Sequence, residues 1–310
     1  MGKVEVRDEN YRNFGKCKVI SNGLIELYVT VDIGPRIIKL NMTGKENLMF
    51  EDIGRAAFED VSSVFGAGKK WYIYGGHRLW VSPELLPQTY YPDNEPVSVM
   101  EYWKGDKFDR IVFTPAAQAV NNLQHSIEIR MCEGSACAKV THKVENVGDK
   151  AVEGAIWALS VMTGGGTVIC PQPDDDTGVL GNRVLALWPY TRLGDPRWSL
   201  FDRYITVRQD GNISEKFKFG INNNKGWIAY QNHGQLLKKS YEPNHPDGRY
   251  PDFGVSTEVF TNNLFIEAET LGELTILNKG GVMVHTETWE LSEAPGLQGE
   301  VEEYVSKHLI

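Results

Sequence analysis

The chain lacks the features that mark several large classes of protein. Its 310 residues include few cysteines, and these lack the spacing of a metal site; they are Cys17, Cys132, Cys137 and Cys170. We therefore expect free thiols in a reducing compartment rather than disulfides. No apolar run approaches the roughly 20 residues that span a bilayer, and the polar start of the chain has no signal-peptide pattern. These absences predict a cytoplasmic protein without a membrane partner.

Basic residues are also fewer than acidic residues. Lys and Arg number 32 against 41 Asp and Glu, which gives a formal net charge of −9. Nucleic acids and anionic membrane surfaces select basic patches, so this charge argues against both as partners. The oligomeric state is left open.

The common sequence signatures of catalytic and cofactor sites are missing as well. The chain has no Gly-x-Ser-x-Gly elbow, no phosphate-binding loop and no His/Cys pair at zinc spacing. We therefore expect no cofactor and no metal. The run Asp174 to Asp176 has oxygen ligands of the kind that calcium prefers, but three consecutive acids cannot all point at one ion on regular structure. A solvated loop is the favoured interpretation of that run.

Strand patterns dominate what remains. Alternating and β-branched runs recur and end at Gly, Asn, Asp or Pro, as in LIELYVTVDIG from Leu24 to Gly34. The turn-like segment Glu145 to Asp149 predicts an antiparallel hairpin between the runs on either side. The clearest helix is Glu300 to Leu309, which we expect to pack at an edge of the sheets. The pattern predicts an all-β fold: one large antiparallel β-sandwich domain over residues 1–310, with little helix.

The stretch WYIYGGHRLWVSPE, Trp71 to Glu84, contains groups suited to binding a sugar. His77 offers a titratable ring, Arg78 a planar set of donors, and Trp80 a flat face for the C–H surface of a pyranose. The Gly-Gly step allows backbone conformations closed to other residues and lets a ligand come close. The alternative interpretation is an aromatic strand and turn in the core of a β protein.

Acidic side chains share one face of a later strand pattern. In the run Asn263 to Glu269, alternation places Glu267 and Glu269 on the same face as Phe265. Two carboxylates on one face suit a concave polar site, and burial would shift the pKa of such a group. The alternative is the solvated side of an antiparallel strand.

These two segments together resemble the galactose mutarotase-like superfamily, which includes the aldose 1-epimerases. The GGHRLWVSPE motif, FKFG (217–220) and PDFG (251–254) more closely resemble an uncharacterised family within it. The resemblance covers nearly the whole chain and implies the large β-sandwich called a supersandwich. It also implies chemistry at the anomeric carbon of a sugar, where one group removes the proton of the C1 hydroxyl and another protonates the ring oxygen.

The resemblance assigns roles to particular residues. Glu267 matches the strand that carries the base in aldose 1-epimerases, and Glu269 and Glu258 are the reserve candidates. The histidine that acts as general acid in those enzymes lies on a mid-chain strand. The corresponding segment here, Ile156 to Cys170, contains no histidine. Either the acid is absent, or His77 supplies it from another direction.

The remaining predicted site residues bind substrate. Arg78 would hold sugar hydroxyls or a carboxylate, or would instead form a salt bridge to Glu84. The full predicted substrate-binding set is Arg78, Trp80, Glu84, Lys218, Asp252, Glu258 and Glu269. His125 and His142 are expected to be hydrogen-bonded or surface histidines rather than catalysts, and His285 is expected to be structural. The leading interpretation is an aldose 1-epimerase-type isomerase; the alternatives are a catalytically silent carbohydrate-binding protein and a lyase or hydrolase acting on a glycosidic bond.

Overall fold

Two large antiparallel sheets pack face to face in this computed structural model, which describes residues 3–86, 88–105, 108–245 and 247–310. The elements, in chain order, are β1 (Glu5–Asn10), β2 (Lys16–Ser21), β3 (Ile25–Thr30), β4 (Ile37–Met42), β5 (Phe58–Asp60), α1 (Ser62–Phe65), β6 (Lys70–Tyr72), β7 (Gly76–Ser82), β8 (Val99–Trp103), β9 (Phe108–Thr114), β10 (Leu123–Cys132), β11 (Cys137–Asn146), β12 (Val152–Met162), β13 (Thr167–Pro171), β14 (Leu185–Leu187), β15 (Trp198–Leu200), β16 (Tyr204–Arg208), β17 (Phe217–Ile221), β18 (Trp227–Asn232), β19 (Gln235–Ser240), α2 (Pro251–Gly254), β20 (Thr257–Thr261), β21 (Ile266–Leu271), β22 (Thr275–Leu277), β23 (Val282–Glu293) and α3 (Val301–His308).

The first sheet has the strand order β1-β2-β3-β4-β7-β12-β21-β20-β17-β14, with β22 paired to β12. The second has the order β15-β16-β13-β18-β19-β23-β11-β10-β9-β8, and β5 and β6 form a separate small pair. The predicted all-β antiparallel sandwich is therefore confirmed. Strands distant in sequence, such as β7 and β21, lie on either side of β12.

The core lies between the two sheets. Strand β10 alternates buried and partly exposed residues, because only one of its faces packs against the first sheet. Strand β12 is buried along nearly its whole length, because elements cover both of its faces. Residues such as Ile127 and Phe113 from the second sheet and Ile156 and Phe219 from the first sheet belong to one continuous apolar cluster.

The predicted hairpin around Glu145 to Asp149 is wrong. Strand β11 pairs with β10 and β23, whereas β12 pairs with β7, β21 and β22, so the turn carries the chain from one sheet to the other. The side chain of Asn146 is fully buried there and donates to the carbonyls of Lys150 and Leu277. Turn residues specify a change of direction, but they do not specify the strand partner.

The C-terminal helix is present as α3, close to the predicted bounds. Its buried residues Val301, Tyr304 and Val305 contact an apolar cluster that includes Ile169 and Trp227. That cluster lies on the outer face of β13 and β18, so the helix covers a face of the second sheet rather than an edge as expected. Among the described residues, no helix is long and apolar enough to cross a membrane.

The Gly-Gly step has a structural cause. Both Gly75 and Gly76 have positive φ, at 99° and 68°. A Cβ atom at Gly75 would lie 2.0 Å from the carbonyl oxygen of Phe50, and one at Gly76 would lie 2.5 Å from that of Ile37. The chain's own backbone makes the close approach, which corrects the expectation that these glycines make room for a ligand.

Candidate functional site

The outer face of the first sheet gathers charged side chains from strands far apart in sequence. Directly paired residues of antiparallel strands share a face. Arg78 on β7 pairs with Leu159, Leu159 with Glu269, and Glu269 with Glu258. This row crosses four strands and places one arginine and two glutamates on one surface.

A second row runs beside the first. Val161 pairs with Glu267, Glu267 with Phe260, and Phe260 with Lys218. The predicted same-face placement of Glu267 and Glu269 is thus seen in the structure. The site also includes Lys218 from β17, which lies 49 residues before Glu267 and 51 before Glu269 in the sequence.

Part of each row forms the floor of a cleft with a free volume of about 540 Å³. Arg78, Lys218 and Glu267 line it, and Glu84 lies at its exposed rim. Glu258 and Glu269, predicted to bind substrate, are instead fully buried beneath this surface. Many of the side chains that line the cleft are aromatic, namely Phe58, Trp71, Trp80, Tyr90, Trp157, Trp188, Tyr190, Phe260 and Phe265. Such a cleft offers flat apolar faces together with a few converging charges, which is typical of small-molecule sites.

Arg78 is held in the floor by one acid and by aromatic rings. Its Nη2 donates to Oε1 of Glu267 at 3.2 Å, and its guanidinium carbon lies 4.5 Å from the ring centroid of Trp80. Its Nε and Nη1 are buried and have no hydrogen-bond partner among the residues that the structure describes. The alternative salt bridge to Glu84 is wrong, because Glu84 instead accepts a hydrogen bond from Tyr90 at 2.6 Å. Two donor nitrogens of Arg78 are therefore not engaged by the described residues.

Lys218 is surrounded by carboxylates and indole rings. Its Nζ lies 2.7 Å from Oε2 of Glu258 and 3.3 Å from Oε2 of Glu269. The same ammonium lies 4.6 Å from the ring centroid of Trp157 and 4.7 Å from that of Trp188. Trp157 also donates its indole N–H to Glu269 at 2.6 Å, which fixes that carboxylate.

The three glutamates differ in their electrostatic environment. Burial raises the pKa of Glu267 and the charge of Glu269 adds to the effect, while Arg78 opposes it, so that the pKa reaches about 7. Burial raises the pKa of Glu258 well above its usual range, although Lys218 opposes this. Burial alone would lower the pKa of Lys218, but Glu258 and Glu269 raise it above the usual range. The site thus combines carboxyl groups with different affinities for protons.

His77 does not reach this cleft, which corrects the expectation that it faces a ligand. Neighbouring residues of a strand point to opposite faces, so Arg78 faces the cleft and His77 faces the interior of the sandwich. His77 is fully buried, and its Nε2 lies 2.6 Å from Nε2 of His142, which belongs to the second sheet. Alternation along GGHRLW already contained this signal, because adjacent residues cannot both line one site.

Behind the site, His77 belongs to a buried polar network that joins the two sheets. The Nζ of Lys239 donates to Ser160 Oγ, to the carbonyl of Ala268 and to Glu287 Oε1, each at 2.9 Å. Glu287 also accepts from Thr270 and Trp289, both at 2.7 Å. Burial raises the pKa of Glu287, but the Lys239 ammonium lowers it by more, so the pKa of Glu287 lies below its usual range.

The hydrogen bonds of this network assign the tautomers of its imidazoles. Nδ1 of His142 faces the carbonyl of His285 and therefore carries a proton, so Nε2 of His142 accepts from His77. Nδ1 of His77 then accepts from the hydroxyl of Ser160. Burial lowers the pKa of both rings, which keeps them neutral.

Three of these groups have the composition of a metal site. Ligand atoms of His77, His142 and Glu287 all lie within 4.8 Å of one another. Their ring nitrogens and carboxylate oxygens are already hydrogen-bonded, and the Lys239 ammonium occupies the position beside the carboxylate. Hydrogen bonding accounts for this arrangement, so we assign no metal role to it.

The other predicted residues lie at or outside the margin of the cleft. Asp252 lies in the short α2 turn with φ of 49°, near enough to Glu258 for its charge to raise the pKa of that acid. In the acidic run, Asp174 contacts Arg203 and Lys225, and Asp175 contacts Lys225. These ion pairs agree with the loop interpretation of the run.

No family model and no curated protein matches the sequence. The fold, however, matches solved structures over most of the chain. A Klebsiella pneumoniae protein provisionally assigned as an aldose 1-epimerase superposes with a TM-score of 0.62 at 13% identity, covering 92% of this chain and 83% of the other. A galactose mutarotase-like protein from Clostridium acetobutylicum gives 0.57 at 10% identity, covering 94% and 99%.

A TPR-domain containing protein from Parabacteroides distasonis gives a TM-score of 0.61 at 13% identity, covering 92% of this chain and 49% of that one. This chain thus spans about half the length of the Parabacteroides structure. The chain has the galactose mutarotase-like fold. At these identities the similarity establishes the fold alone, and the uncharacterised family suggested by the GGHRLWVSPE motif stays a hypothesis.

Within the galactose mutarotase-like fold, sequence reasoning missed several cleft residues. Trp157 lies in the segment Ile156 to Cys170, for which the sequence predicted only the absence of a catalytic histidine. Tyr90 and Phe260 also line the cleft. No local pattern identifies them, because their placement depends on which strands become neighbours.

Proposed function

We propose that the chain is a carbohydrate-active enzyme of the aldose 1-epimerase type, with Glu267 as the general base. The observation that carries the proposal is the Glu267 carboxyl group itself. It lines an aromatic-walled cleft, it is oriented by Arg78 at 3.2 Å, and burial raises its pKa to about 7. A base works best when its pKa lies near the working pH.

In the proposed reaction, Glu267 takes the proton of the C1 hydroxyl of a cyclic aldose. The bond between C1 and the ring oxygen then breaks, and reclosure on the other face of C1 gives the second anomer. The free N–H groups of Arg78 supply donors to sugar oxygens, and rings such as Trp80 supply faces for the pyranose C–H groups. Because the base must be ionised, the rate should rise with pH around an apparent pKa near 7.

A second candidate is a carbohydrate-binding protein without catalysis on the same fold. The position of His77 favours it, since that ring lies between the sheets and cannot protonate a sugar in the cleft. Binding without turnover needs only the aromatic walls and the free donors of Arg78.

Proton exchange NMR on a panel of free aldoses and uronic acids separates the two. We expect the protein to accelerate exchange between α and β anomeric signals, and we expect Glu267→Gln to lower that rate by about 100-fold or more. Glu290→Gln is the matched control, because Glu290 is exposed on the second sheet.

Line broadening of one sugar without accelerated exchange would support the binding protein. New reducing ends released from an oligosaccharide would instead indicate a hydrolase. Full exchange activity in Glu267→Gln would show that another group is the base.

A further inference from the structure

The cleft that contains the proposed base is also lined by a positively charged group, Lys218. In the second row of the floor, Lys218 and Glu267 are separated by one residue, Phe260 on β20. Neighbouring strands lie about 4.8 Å apart, so the Cα atoms of Lys218 and Glu267 are about 10 Å apart. The side chain of Lys218 spans part of this distance, because its Nζ lies 3.3 Å from Glu269 on the same strand as Glu267. A sugar in the cleft can therefore contact both the ammonium and the Glu267 carboxyl group.

Lys218 is in turn connected to a buried acid. Its Nζ lies 2.7 Å from Glu258, which is fully buried below the cleft surface. Apart from this ammonium, neither carboxyl oxygen of Glu258 has a hydrogen-bond partner among the described residues. The other charged groups that act on this pair are Glu269, Glu267 and Asp252.

We propose that Lys218 and Glu258 together replace the missing histidine, with Lys218 donating a proton to the ring oxygen and Glu258 returning one to Lys218. This inference rests on the proposed function. Lys218 is the group that touches the sugar, and Glu258 is the buried proton source behind it. Geometry assigns the roles, because Lys218 lines the cleft and Glu258 does not.

The proton balance closes. Glu267 takes the proton of the C1 hydroxyl, the electron pair of the broken bond to C1 goes to the ring oxygen, and that oxygen takes a proton from the Lys218 ammonium. The resulting amine takes the carboxyl proton of Glu258. The open-chain aldehyde then recloses with every transfer reversed, so the enzyme returns to its starting state without an added reactant.

The state of Glu258 suits this role. Burial raises the pKa of Glu258 well above the usual range, although Lys218 opposes this, so Glu258 keeps its proton to a higher pH than an exposed glutamate does. A neutral carboxylic acid beside an ammonium and near the Glu269 carboxylate also avoids placing a second negative charge in a fully buried position.

Glu258→Gln tests the relay. Gln has the shape of a protonated Glu but cannot release a proton, so we expect an unchanged urea midpoint, a KM within about twofold of wild type, and a kcat lowered by about 100-fold. Lys218→Met should lower kcat similarly, and Glu290→Gln should leave it unchanged.

The outcomes are separable. If Glu267→Gln abolishes exchange while Glu258→Gln keeps the wild-type kcat, the relay is wrong and the proposed function stands. If the wild-type protein accelerates exchange of no sugar in the panel, the proposed function fails and the relay fails with it. If Glu258→Gln loses kcat only together with its urea midpoint, Glu258 has a structural role and the relay is overturned.

Discussion

Replacing Lys239 with Met should destabilise the protein by about 3–5 kcal/mol, the cost of breaking a buried ion pair from one side. The ammonium of Lys239 makes three hydrogen bonds of 2.9 Å, to Ser160, Ala268 and Glu287. The side chains of Lys239 and Glu287 are 1% and 0% exposed, so water cannot take over these interactions. The substitution leaves a carboxylate buried without its cation.

The second part of this prediction is that removing the Glu287 charge as well restores part of the lost stability. In the double variant Lys239→Met with Glu287→Gln, no uncompensated charge remains, and the neutral Gln still accepts from Trp289. We expect the double variant to be more stable than Lys239→Met alone by about 1 kcal/mol or more, which is the coupling expected of residues in contact. Urea unfolding followed by tryptophan fluorescence measures both values.

Lys279→Met is the matched control, because Lys279 forms only an exposed pair with Asp149. We expect little change in its urea midpoint. A loss below about 1 kcal/mol for Lys239→Met would refute the reasoning, since it would show that the interior tolerates the unpaired carboxylate. A double variant less stable than Lys239→Met would refute the charge argument in particular.

Two further predictions concern protonation. Glu269→Gln should lower the pKa of Glu267 from about 7, because the charge of Glu269 raises that pKa. A carbon-detected NMR titration of labelled glutamate measures the pKa of Glu267, and an unchanged value would contradict the prediction. Burial lowers the pKa of His285 to about 4 in the folded protein. When the pH falls below the pKa of a histidine in the unfolded chain, protonation favours the unfolded state, so the protein loses stability. Between pH 7 and pH 5 that loss is about 2 kcal/mol for one such histidine. In urea unfolding, the free energy of unfolding of His285→Gln should therefore fall less between pH 7 and pH 5 than that of wild type, by the same amount. Equal losses in the two proteins would contradict the prediction.

Local alternation made part of the site visible in the sequence. Because side chains of a strand alternate between faces, the run around Glu267 and Glu269 could be placed with Phe265 on one surface before any partner strand was known. The same rule also separates His77 from Arg78, although composition alone suggested that the two act together. Aromatic content likewise indicated a site near Trp80 without showing which ring lines it.

Strand partnership was harder to predict. The turn after Asn146 has hairpin composition, yet its strands belong to different sheets. The partner of Arg78 is Glu267, 189 residues away, rather than Glu84. Long-range pairing depends on the packing of whole faces, which a turn sequence does not encode.

The strand-rich composition, the antiparallel sandwich class and the shared face of the two late glutamates could be predicted from the chain, because they follow from a period of two and from turn chemistry. Which face became a cleft and which became the interior depended on how the two sheets pack. Burial of apolar rows between the two sheets enclosed His77 with Lys239 and left Arg78 and Glu267 at the cleft. The pKa of Glu267 likewise comes from its neighbours in space, so no local segment specifies it.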